Sequence, residues 1–188
     1  MEFKIENTRV FGLENAVRAS GNPMRTEIKQ NVDDSDFERL NKLSNTPIGS
    51  GHSQALCGII VQFDLYAPLY MWKQIQRYHW MDFISSQSTM HRLVKFNIKE
   101  QCVEDTDPII LQRYQELLDK YNLKPTKKLW RTLVASLPCG FVLGATMTTN
   151  YLQLKTIYSQ RKSHKLKEWK DFCEWIESLE NSQWITKN

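Results

Sequence analysis

Gln74 and Arg77 lie three positions apart in a stretch whose spacing predicts a helix, which would place both on one face. A carboxamide beside a guanidinium offers donors suited to a pyrimidine edge or a phosphate. Asn150 and Arg161, eleven residues apart, form a second pair. Three helical turns separate them, a face about 16 Å long, which suits a dinucleotide lying beside a nucleotide. Ser85 to Arg92 adds hydroxyls, an amide, an imidazole and a guanidinium in one polar stretch, read as a loop able to clamp an oxyanion or phosphate.

Other chemistry is less well supported. His52, His79 and His91 show no short ligand spacing, so no metal is expected. His52 reads equally as a loop histidine and as a ligand contact, and Tyr78 as core before cofactor platform. Lys155, Arg161, Lys162, Lys165, Lys167 and Lys170 form a basic run whose only acid is Glu168. It reads as a solvated helix face first and a phosphate-facing patch second. Arg161 taken alone reads as a helix C-terminal cation. The net charge of +4 disfavours a nucleic-acid partner.

Four widely spaced cysteines, Cys57, Cys102, Cys139 and Cys173, form no C-x-x-C pair and read as free, mostly buried thiols of a reducing compartment. The N-terminus carries no secretory pattern, and no apolar run approaches the ~18 residues that span a bilayer. A cytoplasmic protein with no membrane partner is the expectation.

The elements that must position these residues follow from punctuation and period. Residues 2–11 read as a strand and Leu13–Ser20 as a helix stopped by Gly21-Asn22-Pro23. Acidic N-cap candidates at Asp33 and Asp34 open a helix to about Leu43. Cys57–Leu65 reads as a central strand ended by Ala67-Pro68, with a helix from Pro68 to His79. Asp107-Pro108 opens a helix to about Tyr121, and Pro125–Ser136 another. Cys139–Thr149 reads as a strand. Helices over Asn150–Arg161 and Ser163–Leu179 follow, and the last six residues are expected to fray. With 41% hydrophobic residues, six Trp and eight Phe, residues 1–188 can build a single domain.

Taken together, the ordered segments resemble the flavin-dependent thymidylate synthases. They are Ser20 after Val17-Arg18-Ala19, Gly51-His52, Lys73-Gln74-Ile75-Gln76-Arg77-Tyr78-His79 with Ser88 beyond it, and Leu137-Pro138 followed by Asn150 and Arg161. The Leu93–Lys128 region matches little. The resemblance implies an α+β fold, a small, mainly antiparallel central sheet flanked by helices. It implies a one-carbon transfer from methylenetetrahydrofolate to dUMP or a related pyrimidine nucleotide, with FAD supplying hydride and NADPH as a further cosubstrate. It also implies a homotetramer with sites at junctions between chains. Gln74, Arg77, Ser88, Arg92 and Arg161 would then meet the nucleotide, with Ser88 and Arg161 catalytic. Ser20, His52, Arg77, Tyr78, His79 and Asn150 would meet the flavin. The cysteines would have no catalytic task.

The departures are specific. Tyr78-His79 stands where the family has His-Arg, replacing two cation-capable groups with a phenol and a weakly basic imidazole. Ser88 comes one residue late, with Ser85, Ser86 and Gln87 where a glutamate is usual. Val134 occupies the register of an arginine before Leu137-Pro138, and Arg131 lies one turn earlier. These changes predict weak or labile flavin binding. They also leave open a non-catalytic nucleotide-binding descendant and, behind it, a nucleic-acid-binding protein.

Overall fold

Alternating burial marks the strand Ile60–Pro68, and side-chain caps open several of the helices. The computed structural model describes residues 1–187. In chain order the elements are β1 (Lys4–Phe11), α1 (Leu13–Ala19), α2 (Asp34–Ser44), β2 (Ile60–Pro68), α3 (Leu69–Ile75) and β3 (Asp82–Ser86). Then come α4 (Thr89–Arg92), α5 (Ile98–Gln101), α6 (Pro108–Leu123), α7 (Lys127–Ala135), β4 (Val142–Asn150), α8 (Tyr151–Arg161), α9 (Lys167–Glu177) and α10 (Gln183–Thr186). The strands form one antiparallel sheet in the order β1-β2-β4-β3, flanked by helices, so the α+β expectation holds. In β2 the residues Val61, Phe63, Leu65 and Ala67 are buried while Gln62, Asp64 and Tyr66 are not, the period of two that a one-sided sheet requires.

Contacts divide the chain into two units. The first comprises Met1–Lys4, Asp64–Arg77 and Phe83–Thr146. Its core gathers Leu93, Ile98, Cys102, Tyr114, Leu118, Leu133 and Phe141. Tyr114 donates its hydroxyl to the Leu133 carbonyl at 3.1 Å, tying α6 to α7. Gln101 Nε2 donates to the Val142 carbonyl at 2.6 Å, fixing α5 against β4. Both longer helices start on side-chain caps: Asp107 accepts from the Ile109 N–H, and Thr126 from the Leu129 N–H. Pro125 therefore precedes its helix instead of opening it.

The second unit holds Ile5–Phe63, Tyr78–Asp82 and the described chain from Met147 onward. Helix α8 is buried on several sides, through Tyr151, Leu154 and Ile157 on one stripe and Gln153 and Lys155 beside it. Phe63, Trp169, Phe172 and Trp175 pack as a chain of rings at centroid distances from 4.5 to 6.2 Å. Gly12 has φ +78°, and a Cβ there would come within 2.5 Å of the Gly58 carbonyl oxygen, so both conformation and contact demand glycine. Asp33 and Asp36 form a capping box at the start of α2. The fully buried Asp36 carboxylate also accepts from Lys29, Arg39 and Arg25 at 2.7, 2.6 and 2.5 Å. Hydrogen bonds from Lys29, then from Arg39, hold it well below the usual aspartate range.

Several expectations need correction. Gln54–Gly58 is a 3-10 turn, and β2 runs through Ala67-Pro68 instead of stopping there. Helix α3 ends at Ile75, not at His79: the Arg77 N–H closes a turn on the Gln74 carbonyl at 3.3 Å. The chain passes between units at this point, and burial of Tyr78 in the second unit overrides the local helical period. Ser85 and Ser86 belong to strand β3, whose five residues are all exposed, so no apolar alternation announced it. The C-terminus is held: α10 buries Trp184 and Ile185, although residue 188 lies outside the described residues. Cys57 and Cys139 are exposed, so only Cys102 and Cys173 fit the buried-thiol expectation.

Candidate functional site

Within the first unit, Gln74 lies on α3, half-buried, and Arg77 follows the helix end, exposed. Because α3 stops two residues earlier, Arg77 does not share a helix face with Gln74, and the expected pair is replaced by a helix-and-turn arrangement. Ser88 is the N-cap of α4, its Oγ accepting from the His91 N–H at 3.2 Å. Arg92 closes that short helix, exposed. The stretch expected as a loop is therefore a strand end, a cap and a helical turn.

Gln87 fixes where that turn sits. Its backbone N–H donates to the Gly144 carbonyl at 2.9 Å, and its Oε1 accepts from the Gly144 N–H at 2.9 Å. A Cβ on Gly144 would lie 2.7 Å from the Tyr66 ring and 3.2 Å from Gln87 Oε1, so glycine is what admits both. Lys4 Nζ sits 4.5 Å from the Tyr66 ring centroid on this polar surface. A cavity of about 210 Å³ opens there, lined by Asp64, Tyr66, Ser85, Ser86, Gln87 and Thr146. Thr146 Oγ1 donates to Asp64 Oδ1 at 2.6 Å across it.

In the second unit Tyr78 and Arg161 meet directly. Tyr78 is buried, its hydroxyl accepting from Arg161 Nε at 2.6 Å and donating to Gln160 Oε1 at 3.2 Å. The Arg161 guanidinium lies 4.5 Å from the Trp169 ring centroid, and Tyr78 meets Trp169 edge-on at 5.9 Å and 72°. Arg161 is thus braced by two aromatic rings, not merely placed at a helix end. His164, 6.3 Å from Trp169, has its pKa lowered by burial and secondarily by the Arg161 charge.

The remaining candidates in this unit divide between buried and exposed. Ser20 is buried at the end of α1 and donates its hydroxyl to the Val17 carbonyl at 2.7 Å. Asn150 is buried at the N-cap of α8, its Oδ1 accepting from the Gln153 N–H at 2.8 Å. It therefore precedes the helix that ends in Arg161 and does not lie on its face. His52 is exposed in the turn before β2, and His79 is exposed beside Trp80. Among the described residues no group of His, Cys, Asp or Glu could hold a metal ion.

Lys155 departs furthest from expectation. It is fully buried, with Nζ donating to the carbonyls of Ser44 and Thr46. The ammonium satisfies acceptors at the C-terminus of α2, where the helix dipole favours a cation, while burial lowers its pKa. Lys155 thus leaves the basic run, and Lys167 pairs with Asp171 at 2.6 Å. Both the patch and the nucleic-acid reading lose support. Burial raises the Cys102 thiol and lifts Cys173 to about 11, so neither is poised as a nucleophile. Sequence reasoning missed the roles of Gln87 and Gln160, because each depends on a partner brought near only by folding.

No protein-family profile and no curated protein sequence matches the chain. Solved structures do. A thymidylate synthase X (ThyX) of Helicobacter pylori, crystallised with FAD and dUMP, matches with a TM-score of 0.75 at 14% identity, covering 100% of this chain and 98% of the other. A UMP/dUMP methylase, PolB of Streptomyces cacaoi, bound to 5-Br dUMP, matches with a TM-score of 0.68 at 14% identity, covering 94% and 89%. No helix of the described chain is long and apolar enough to cross a membrane. The chain has the fold of the flavin-dependent thymidylate synthases.

Proposed function

We propose that this protein binds a pyrimidine nucleotide, dUMP or a close relative, and transfers a one-carbon unit to it with flavin as cofactor. The observation that carries this reading is the full-length likeness to a chain crystallised with FAD and dUMP. Gln74, Arg77, Ser88 and Arg92 are proposed to meet the nucleotide, with Ser88 also catalytic. Arg77 and Arg92 are exposed cations able to grip phosphate, and Gln74 supplies an amide for a base edge. Arg161 is proposed as a further nucleotide-facing and catalytic cation, at a junction between chains of a homotetramer.

The residues present fit a flavin in part. His52, Arg77 and His79 are exposed and can reach a ligand. Ser20, Tyr78 and Asn150 are buried and hydrogen-bonded within the chain. When bound, FAD supplies the hydride; NADPH and methylenetetrahydrofolate are the proposed cosubstrates. The chain's own part is to hold the nucleotide phosphate with permanent guanidinium charge and to keep the base in place. Ser88 offers a hydroxyl held by its own cap.

A second reading, a nucleotide binder without flavin chemistry, is favoured by one observation: three of the six flavin candidates are already engaged internally. Titrating FAD into the protein, alone and with dUMP, separates the two. Saturable quenching of flavin fluorescence at micromolar FAD supports the flavin reading. Absence of quenching at submillimolar FAD, with dUMP still bound, establishes the second.

A further inference from the structure

Between two buried side chains, Tyr78 and Met81, the chain turns His79 and Trp80 outward. Trp80 keeps 61% of its surface exposed, a notable state for the side chain with most apolar area to hide. Its backbone is nevertheless fixed on both sides. The Trp80 N–H donates to Gln153 Oε1 at 3.3 Å, and its carbonyl accepts from Thr149 Oγ1 at 2.6 Å. Gln153 and Thr149 are both buried, and the Gln153 N–H is bonded in turn to Asn150. The exposed indole is thus carried on a backbone that is hydrogen-bonded to two buried side chains. His79 meets it edge to face, with centroids 5.6 Å apart and planes at 78°. All of these residues belong to the second unit.

We infer that the Trp80 indole is a stacking platform for a planar heteroaromatic ring, the isoalloxazine of a flavin or the pyrimidine of a nucleotide. The inference rests on the proposed flavin and nucleotide binding and adds the residue that receives the ring. Tyr78, read as core first and cofactor platform second, is turned inward against Trp169, and Trp80 lies two residues beyond it. A flat ring laid on the indole removes apolar area from water on both partners, at little conformational cost because the backbone beneath it is already hydrogen-bonded. The neighbouring imidazole places a hydrogen-bonding edge at the rim of that face, suited to a carbonyl or ring nitrogen of the ligand.

Lumiflavin, FAD and dUMP are titrated separately against the parent, Trp80→Phe and Trp80→Ala, with light scattering on each protein. Trp80→Ala is expected to weaken one ligand class by about tenfold, the scale of a lost base–aromatic stack. Trp80→Phe is expected to retain most of the affinity, and all three proteins to melt together. A loss confined to lumiflavin and FAD assigns the isoalloxazine; a loss confined to dUMP assigns the pyrimidine. Equal affinity of parent and Trp80→Ala for every ligand overturns the platform and leaves the proposed function standing. A parent that binds none of the three overturns both. Trp80→Ala that changes only the oligomeric state overturns the platform in favour of a second copy of the chain covering the indole.

Discussion

Arg77 and Arg92 of the first unit and Ser20, Tyr78 and Asn150 of the second are treated in opposite ways by the fold. Arg77 and Arg92 stand exposed after a helix end and at the close of a helical turn, where their charge can meet a ligand. Ser20, Tyr78 and Asn150 are buried, Ser20 bonded back into α1, Asn150 capping α8 and Tyr78 tied to Gln160 and Arg161 at the end of α8. Tyr78 is central to this contrast. A phenol can be buried when its hydroxyl is satisfied, whereas a second cation beside Arg161 would repel it. Tyr78 is thereby part of a core. A side chain whose single polar atom is satisfied within the chain can serve the core where an exposed cation would serve a ligand.

The contrast is sharpened by substitutions that separate stability from binding. Tyr78→Ala is expected to have the largest effect, lowering stability by roughly 3–5 kcal/mol, as for a buried aromatic side chain. Tyr78→Phe keeps the ring and should lose only about 1 kcal/mol, the net worth of a hydrogen bond. Thermal melts read both. A Tyr78→Ala protein that melts like the parent but loses flavin would place Tyr78 on the ligand surface and break the contrast.

Asn150→Ala comes next. Loss of an N-cap is expected to cost about 1 kcal/mol, a fall in melting temperature of roughly 2–4 °C for a chain of this size. Asn150→Asp retains the acceptor and should restore the melt. If both variants melt with the parent, the cap carries no stability and Asn150 is held for another purpose.

The smallest effect is a pH slope from Lys155. Burial lowers its folded pKa below the ordinary 10.5, so the unfolded chain binds more protons between the two values. Stability from this group therefore rises with pH up to 10.5 and is flat below the folded value. Comparing denaturant midpoints of the parent and Lys155→Met across mildly alkaline pH should show this slope in the parent alone. Identical slopes would mean that the ammonium is not desolvated as its burial indicates.

Much of the fold was legible because its signals are local. Asp33, Asp107 and the glycine and proline punctuation mark helix starts and stops wherever the surrounding chain does not intervene. The end of α3 was not legible: periodicity continues through Tyr78, and only burial in the second unit stops the helix at Ile75. Strand β3 carries Phe83 and Ile84 exposed, so its pairing left no alternation to read. For the candidate site the difficulty was one of chemistry. An asparagine before a helix reads as a ligand contact or as a cap, and the hydrogen bond to Gln153 shows that Asn150 caps. Lys155 looked like one more surface cation because nothing near it in sequence announces the carbonyls of Ser44 and Thr46.

Calorimetric titration of dUMP into the parent and into Arg77→Ala tests the nucleotide reading most directly. The parent is expected to bind saturably at micromolar dUMP. Arg77→Ala is expected to lose roughly 1.5–3 kcal/mol, the worth of a hydrogen bond to a charged group, with the melting temperature unchanged. Equal affinity in the two proteins would remove Arg77 from the site, and no heat from the parent at millimolar dUMP would contradict nucleotide binding altogether.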